Sequence, residues 1–334
     1  MTEQQTTFLD QRTAFQCIVG SRLYGTETPT SDTDTMGIYF PTPDFVFGIA
    51  GQYPQHLGYT SEKDYLDVSV VSKRPDGKNA EDAEDIKYYE LRNFVDLALK
   101  QGPNIVEILY VAGSKVLFKD PRIQPLFDLR DSIVSDVAIK RFVGYANAQK
   151  HKMVIRTTHF KELTEAMEFF DSIPEAEQGK LLWEITAAEG KTAETFAPWL
   201  QVNASHFSVG DLNFKKALKV KSMRKIVRER LDGATNRTDL MQTFGFDTKF
   251  GSHLVRLMVE GKALFTTGEI TFPLPEADLI RSIKMGEYTR DEVIAMADDL
   301  QREMENSVSV LRPLPDYAAV NQTVMQIIRD TVDV

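Results

Sequence analysis

The chain has 334 residues, and its 39 Lys/Arg against 49 Asp/Glu give a formal charge of −10. With 42% apolar and 26% charged residues it can bury the core of one large domain or two ordinary ones, which excludes wholesale disorder. A single cysteine, Cys17, excludes an internal disulfide framework and a cysteine-rich zinc module, while the net acidity argues against coating nucleic acid through overall charge but leaves room for a local basic patch.

The opening MTEQQTTFLD lacks the charged-then-apolar layout of a secretory signal, and no run approaches the ~18 apolar residues of a membrane span. The expectation is a soluble, cytoplasmic protein with no membrane partner. From residue 15 to 119, short β-prone runs alternate with Gly/Pro/Asp punctuation: 15–19, 34–40, 65–71, 85–90 and 114–118. Between the last two, LRNFVDLALKQG repeats apolar residues at helical spacing and stops at Gly102-Pro103. The stretch 72–85 has no apolar period and predicts an exposed acidic loop. After about Pro121 the pattern turns helical, with candidates at 136–156, 160–171, 175–190, 212–231, 248–262, 276–285, 290–309 and 316–331. The fold class is α+β: a head over 1–120 and a mainly helical domain over 121–334.

The segment that points to chemistry is Gly20-Ser21-Arg22-Leu23-Tyr24-Gly25, followed after a polar loop by Ser31-Asp32-Thr33-Asp34 and an apolar strand. Strand side chains alternate faces, so Asp32 and Asp34 are expected to point the same way. Parallel carboxylates suit a hard divalent ion, Mg²⁺ or Mn²⁺, which takes oxygen ligands together with a substrate's phosphates. A glycine admits a phosphate close to the backbone, and a neighbouring serine and opening-helix amides can donate to it. Taken singly, Gly-Ser and Asp-x-Asp are ordinary turn formers; the two at this spacing make the parts of a nucleotidyl-transfer site.

This motif resembles the signature of the polymerase-β-type nucleotidyltransferase superfamily. GSRLYG…SDTD…GIY is closer to its subfamily of predicted RNA-repair-associated nucleotidyltransferases, which also occurs in tailed phages. The blocks at 88–111, 141–149 and 246–273 fit the same resemblance, which spans about residues 15–310. It implies a small mixed palm sheet with helices, followed by a helical domain that closes the cleft. It also implies a third carboxylate on a neighbouring strand. Asp85 is preferred, with Glu90 and Asp67 left open, and Asp85 and Glu90 fall at opposite ends of DIKYYE on opposite strand faces.

In the later block, Lys249, His253 and Arg256 recur at i, i+4 and i+7 and share one helical face. Lys249 and Arg256 are expected to bind the triphosphate, and His253 a phosphate or base; Arg22 and Tyr24 are candidates for contacts beside the Gly-Ser turn. Residues 214–230 hold eight Lys/Arg against the single Glu229, a local reversal of sign that suits an RNA or DNA acceptor as well as it suits an ion-paired surface helix. His56, His151, His159 and His206 show no metal-ligand spacing.

Together these readings predict metal-dependent transfer of a nucleoside monophosphate, from ATP or another nucleoside triphosphate, to an acceptor hydroxyl with release of pyrophosphate. Asp32, Asp34 and Asp85 would hold the metal, and Gly20, Ser21 and Arg22 would bind the nucleotide. An RNA 3′ end is the first choice of acceptor. A protein or small-molecule hydroxyl is the second reading, and a non-catalytic nucleotide-binding protein the third.

Overall fold

The computed structural model describes residues 9–29, 31–48, 84–188, 190, 197–232 and 236–332. The expected strand at 65–71, with Asp67, and positions 72–83 of the expected acidic loop lie outside the described residues, as does His56. The fold is α+β. Two compact units are present, one made of Met1–Ala146, Val255–Ser282 and Met296–Val334, the other of Asn147–Leu254 and Ile283–Ala295.

In the first unit, β1 (Thr13–Val19), β2 (Thr33–Tyr39), β3 (Glu84–Glu90) and β4 (Val116–Lys119) form a sheet in the order β3-β2-β1-β4. β1 is antiparallel to β2 and to β4, whereas β2 and β3 run parallel. All five residues from Thr35 to Tyr39 are buried in succession, the mark of a central strand covered on both faces. Helix Leu91–Leu99 follows β3 directly and buries Leu91, Phe94, Val95 and Ala98, the stripe that its periodicity predicts. Burying a side chain such as Phe94 contributes about 1.5–3 kcal/mol. Glu90 starts this helix, its carboxylate accepting the Arg92 amide at 3.0 Å.

The second unit holds a small antiparallel sheet that the sequence reading did not anticipate: β5 (Gln201–Val202), β6 (His206–Val209) and β7 (Leu212–Lys215). Its inward Phe207, Val209 and Phe214 join Phe170, Leu182, Trp199, Met223 and Val227 in one core. The helix expected at 212–231 therefore begins only at Val220 and runs to Asp232. Gly210-Asp211, with Gly210 at φ 57°, lies between two alternating runs, and such a two-residue hairpin turn commits its flanks to strands.

Two further expectations are corrected. The segments 136–156 and 160–171 form one continuous helix, Val137–Ser172. The residues between them do not interrupt it, because the Thr157 and Thr158 hydroxyls donate to the carbonyls of Met153 and Val154 within the helix. Helix Asn236–Phe244 was not predicted, and 175–190 shortens to Leu182–Ala188. The remaining helices, Thr248–Thr267, Ala277–Lys284, Arg290–Glu305 and Tyr317–Thr331, fall where periodicity placed them. Among the described residues no helix is long and apolar enough to cross a membrane.

Candidate active site

β1 ends at Val19, which pairs with Asp34 on β2. The next residue, Gly20, takes φ 66° and ψ −150°, a region open in practice only to glycine, and turns the chain into the four-residue helix Ser21–Tyr24. A Cβ at position 20 would collide with Oδ2 of Asp34 and stand 3.3 Å from its Cγ. Glycine is thus required twice, for the dihedral angles and for the carboxylate that rests against its main chain. The amides of Leu23 and Tyr24 donate to the Gly20 carbonyl at 3.0 and 3.1 Å, closing the turn.

The polar loop is tied to this turn by Arg22. Its Nε donates to the Asp32 carbonyl at 3.3 Å and its Nη2 to the Ser31 carbonyl at 3.0 Å. Ser31 in turn accepts the Thr28 amide through Oγ at 2.8 Å. Arg22, expected on the nucleotide, has its guanidinium on the loop backbone. β2 opens at Thr33, so Asp32 stands just outside the strand and alternation alone does not fix its direction. Asp34 lies inside it.

Across the parallel β2–β3 ladder, Asp85 is the registered partner of Asp34. Glu90 sits at the far end, opposite Tyr39, with its carboxylate bound to Arg92 Nε at 2.9 Å as well as to the Arg92 amide. Position 85 therefore falls at the Gly-Ser end of the β2–β3 ladder and Glu90 at the opposite end.

Tyr24 closes the short helix and is buried. Its hydroxyl donates to Glu107 at 2.9 and 3.0 Å, and the Arg256 guanidinium lies 4.3 Å above its ring. Arg256 Nη1 donates to Glu107 Oε2 at 3.0 Å and to both Glu260 oxygens at 2.9 Å. These side chains are almost wholly buried, at 5% exposure for Arg256, 2% for Glu107 and none for Glu260. Burial pushes the Glu260 carboxyl up to about 8 against the pull of Arg256, and it raises Glu107 and Tyr24 for the same reason. Two acids around one arginine would leave a buried net charge, which protonation of one carboxyl relieves. The stripe Lys249–His253–Arg256 is accordingly not a shared solvent face. His253 is exposed and Lys249 half-buried, but Arg256 points into the core.

The later block also meets the turn directly. Gly25 ends the short helix at φ 78°, where a Cβ would come within 2.8 Å of Pro273. The Tyr24 carbonyl accepts the Leu274 amide at 3.1 Å, and Arg281 donates to the Gly25 carbonyl. Residues over two hundred positions apart in sequence are packed here.

A model of the RlaP family, the RNA repair pathway DNA polymerase beta family, matches residues 2–167, the half of the chain that contains the Gly-Ser turn, Asp32, Asp34 and Asp85. The chain belongs to this family. It is an enzyme of the polymerase β superfamily of nucleotidyltransferases. It is also similar to an uncharacterized 38.9 kDa protein in the nrdC–mobD intergenic region of Enterobacteria phage T4, 23% identical over 313 residues that cover 88% of this chain and 89% of the phage protein. No solved structure matches. Tyr24 and Glu107 fall within the family match; Lys249, His253, Arg256 and Glu260 lie beyond it.

Beyond the family segment, the three arginines of the basic run 214–230 are each paired with an acid. Arg224 and Arg228 converge on Asp171, at 2.6 and 2.9 Å, and Arg230 meets Asp211 at 2.9 Å. Lys215, Lys219, Lys221 and Lys225 are exposed, Lys225 standing 3.6 Å from Glu229. Sequence reasoning missed Glu107 and Glu260. Both left a signal, each a lone acid in an apolar run, and Glu260 lies at i+4 from Arg256.

Proposed function

We propose that this enzyme transfers a nucleoside monophosphate from a nucleoside triphosphate to the 3′ hydroxyl of an RNA, releasing pyrophosphate. One observation carries the reading: the Asp34 carboxylate lies against Gly20 at the Gly-Ser turn, and Asp34 pairs in register with Asp85, so both acidic positions and the turn fall at the same end of the strands. In this reading residues 1–120 are the catalytic head.

The donor chemistry fits Mg²⁺ or Mn²⁺, since Asp32, Asp34 and Asp85 offer only hard oxygens. Among the described residues no three ligand-type side chains gather into a group, and the Asp85 side chain is outside them. A divalent ion held by these carboxylates would neutralise charge on the triphosphate and acidify the attacking hydroxyl. Ser21 and the leading amides of its helix, which have no intrahelical partner, would bind the terminal phosphates. Arg22 would hold the Ser31–Asp32 loop in place beside them. Arg256, enclosed between Glu107 and Glu260, would serve elsewhere than on the triphosphate.

RNA as the acceptor is supported by the family's description and by the exposed lysines of 215–225. The test is incubation with each labelled nucleoside triphosphate, Mg²⁺ or Mn²⁺, and mixed RNA. Label on RNA that is lost in Asp34→Asn is the expected result. Label moving only onto protein rejects the acceptor, and nucleotide binding without pyrophosphate release rejects the reaction.

A further inference from the structure

We infer that Arg256 is a positioning residue for the Gly20-Ser21 turn, acting through Tyr24 and Glu107 rather than by touching the triphosphate. The inference rests on the nucleotidyl-transfer reading above.

A helix of four residues has almost no cohesion of its own, because nucleation fixes several dihedrals for one hydrogen bond. The geometry of Ser21–Tyr24 must therefore come from its anchors. At its start Gly20 is held against Asp34. At its end the Tyr24 amide donates to the Gly20 carbonyl at 3.1 Å while its own carbonyl accepts from Leu274. The Tyr24 side chain is fixed on two sides, by the hydroxyl bond to Glu107 and by the guanidinium lying 4.3 Å above its ring. Arg256 makes both possible, since the same Nη1 reaches Glu107 and Glu260 and holds the two acids in place. Enclosed by these groups at 5% exposure, the guanidinium is not presented to a phosphate. One nitrogen makes all the carboxylate contacts while the planar guanidinium covers the Tyr24 ring; a lysine keeps the charge but replaces that plane with a compact ammonium.

Two variants of the full-length protein test this. Tyr24→Phe removes one hydroxyl and keeps the ring, so the protein is expected to remain folded; Arg256→Lys keeps the charge. In each, hydrogen exchange at the amides of positions 23 and 24 is expected to quicken while the β1–β2 amides stay protected, and triphosphate affinity is expected to fall about tenfold, since small misplacements of binding groups are costly. Unchanged exchange at 23 and 24 overturns the positioning role. Faster exchange with parental triphosphate affinity overturns the link to the nucleotide, as does a lowered melting temperature with no change in either. Should Arg256→Lys fail to fold, Tyr24→Phe decides alone. Parent protein that binds no nucleoside triphosphate removes the nucleotidyl-transfer reading instead, and the exchange measurement then still reports whether the cluster holds the turn.

Discussion

The carboxylate of Asp34 rests against the Cα of Gly20, so the residue before the candidate phosphate-binding serine is glycine because an acid occupies the space of its side chain. The contact couples β2 to the turn after β1. A change at either residue should be felt at the other.

Gly20→Ala is therefore expected to cost about 1–3 kcal/mol in backbone strain alone, since φ 66° with ψ −150° is nearly closed to other residues. Displacing Asp34 should remove nucleotidyl transfer as well. Urea titration and a transfer assay report the two effects, and a variant with parental stability would show that the turn relaxes freely.

Asp34→Asn and Asp85→Asn are each expected to lower transfer about a hundredfold or more, the loss of several kcal/mol of charge stabilisation. Glu90→Gln should keep transfer within a few-fold and instead lower stability by about 1 kcal/mol, because Glu90 caps helix Leu91–Leu99 and holds Arg92. Parallel kcat and melting measurements separate the roles. Loss of transfer in Glu90→Gln with Asp85→Asn fully active would reverse the assignment.

Stability should depend on pH through Glu260. Its carboxyl is raised from 4.5 to about 8, so between those values the unfolded chain releases a proton that the folded chain retains. The contribution is complete below about pH 4.5 and is lost as pH rises through about 8. Glu107, raised by the same burial, acts in the same direction. Denaturant midpoints across this window should fall with rising pH in the parent and flatten in Glu260→Gln; equal slopes would remove the buried proton from the account.

Replacing Lys219, Lys221 and Lys225 together by glutamine should weaken RNA binding and reduce the salt slope by about 0.7 per lost phosphate contact on a single strand. Arg224→Gln and Arg228→Gln should change it little, since both guanidiniums already bind Asp171. Affinity measured from low to moderate salt checks this. A flat salt response of the parent would exclude the segment as an acceptor platform.

The elements nearest the chemistry were legible because their signals are local. β1, β2 and β3 follow from β-prone runs between Gly, Pro and Asp breaks, helix Leu91–Leu99 from helical apolar spacing, and Gly-Ser with Asp-x-Asp stands within one hairpin's length of chain. The hairpin β6–β7 was overlooked because its basic flank also fits a helix, although Gly210-Asp211 marks the turn. The stripe of Lys249, His253 and Arg256 was legible as a helix face but not as an environment. Helical spacing places a side chain around its own axis and says nothing of the acids that another segment brings against it.

By itself the sequence determined the α+β order of elements, the paired acids and the glycine-serine bend, all set by neighbours along the chain. Only the tertiary structure decided that Asp34 leans on Gly20, that Asp85 lies beside it, and that Arg256 faces inward between Glu107 and Glu260. Those relations join segments up to about 150 residues apart. They exist because packing excludes water around a charge and so demands a partner, wherever in the chain that partner was encoded.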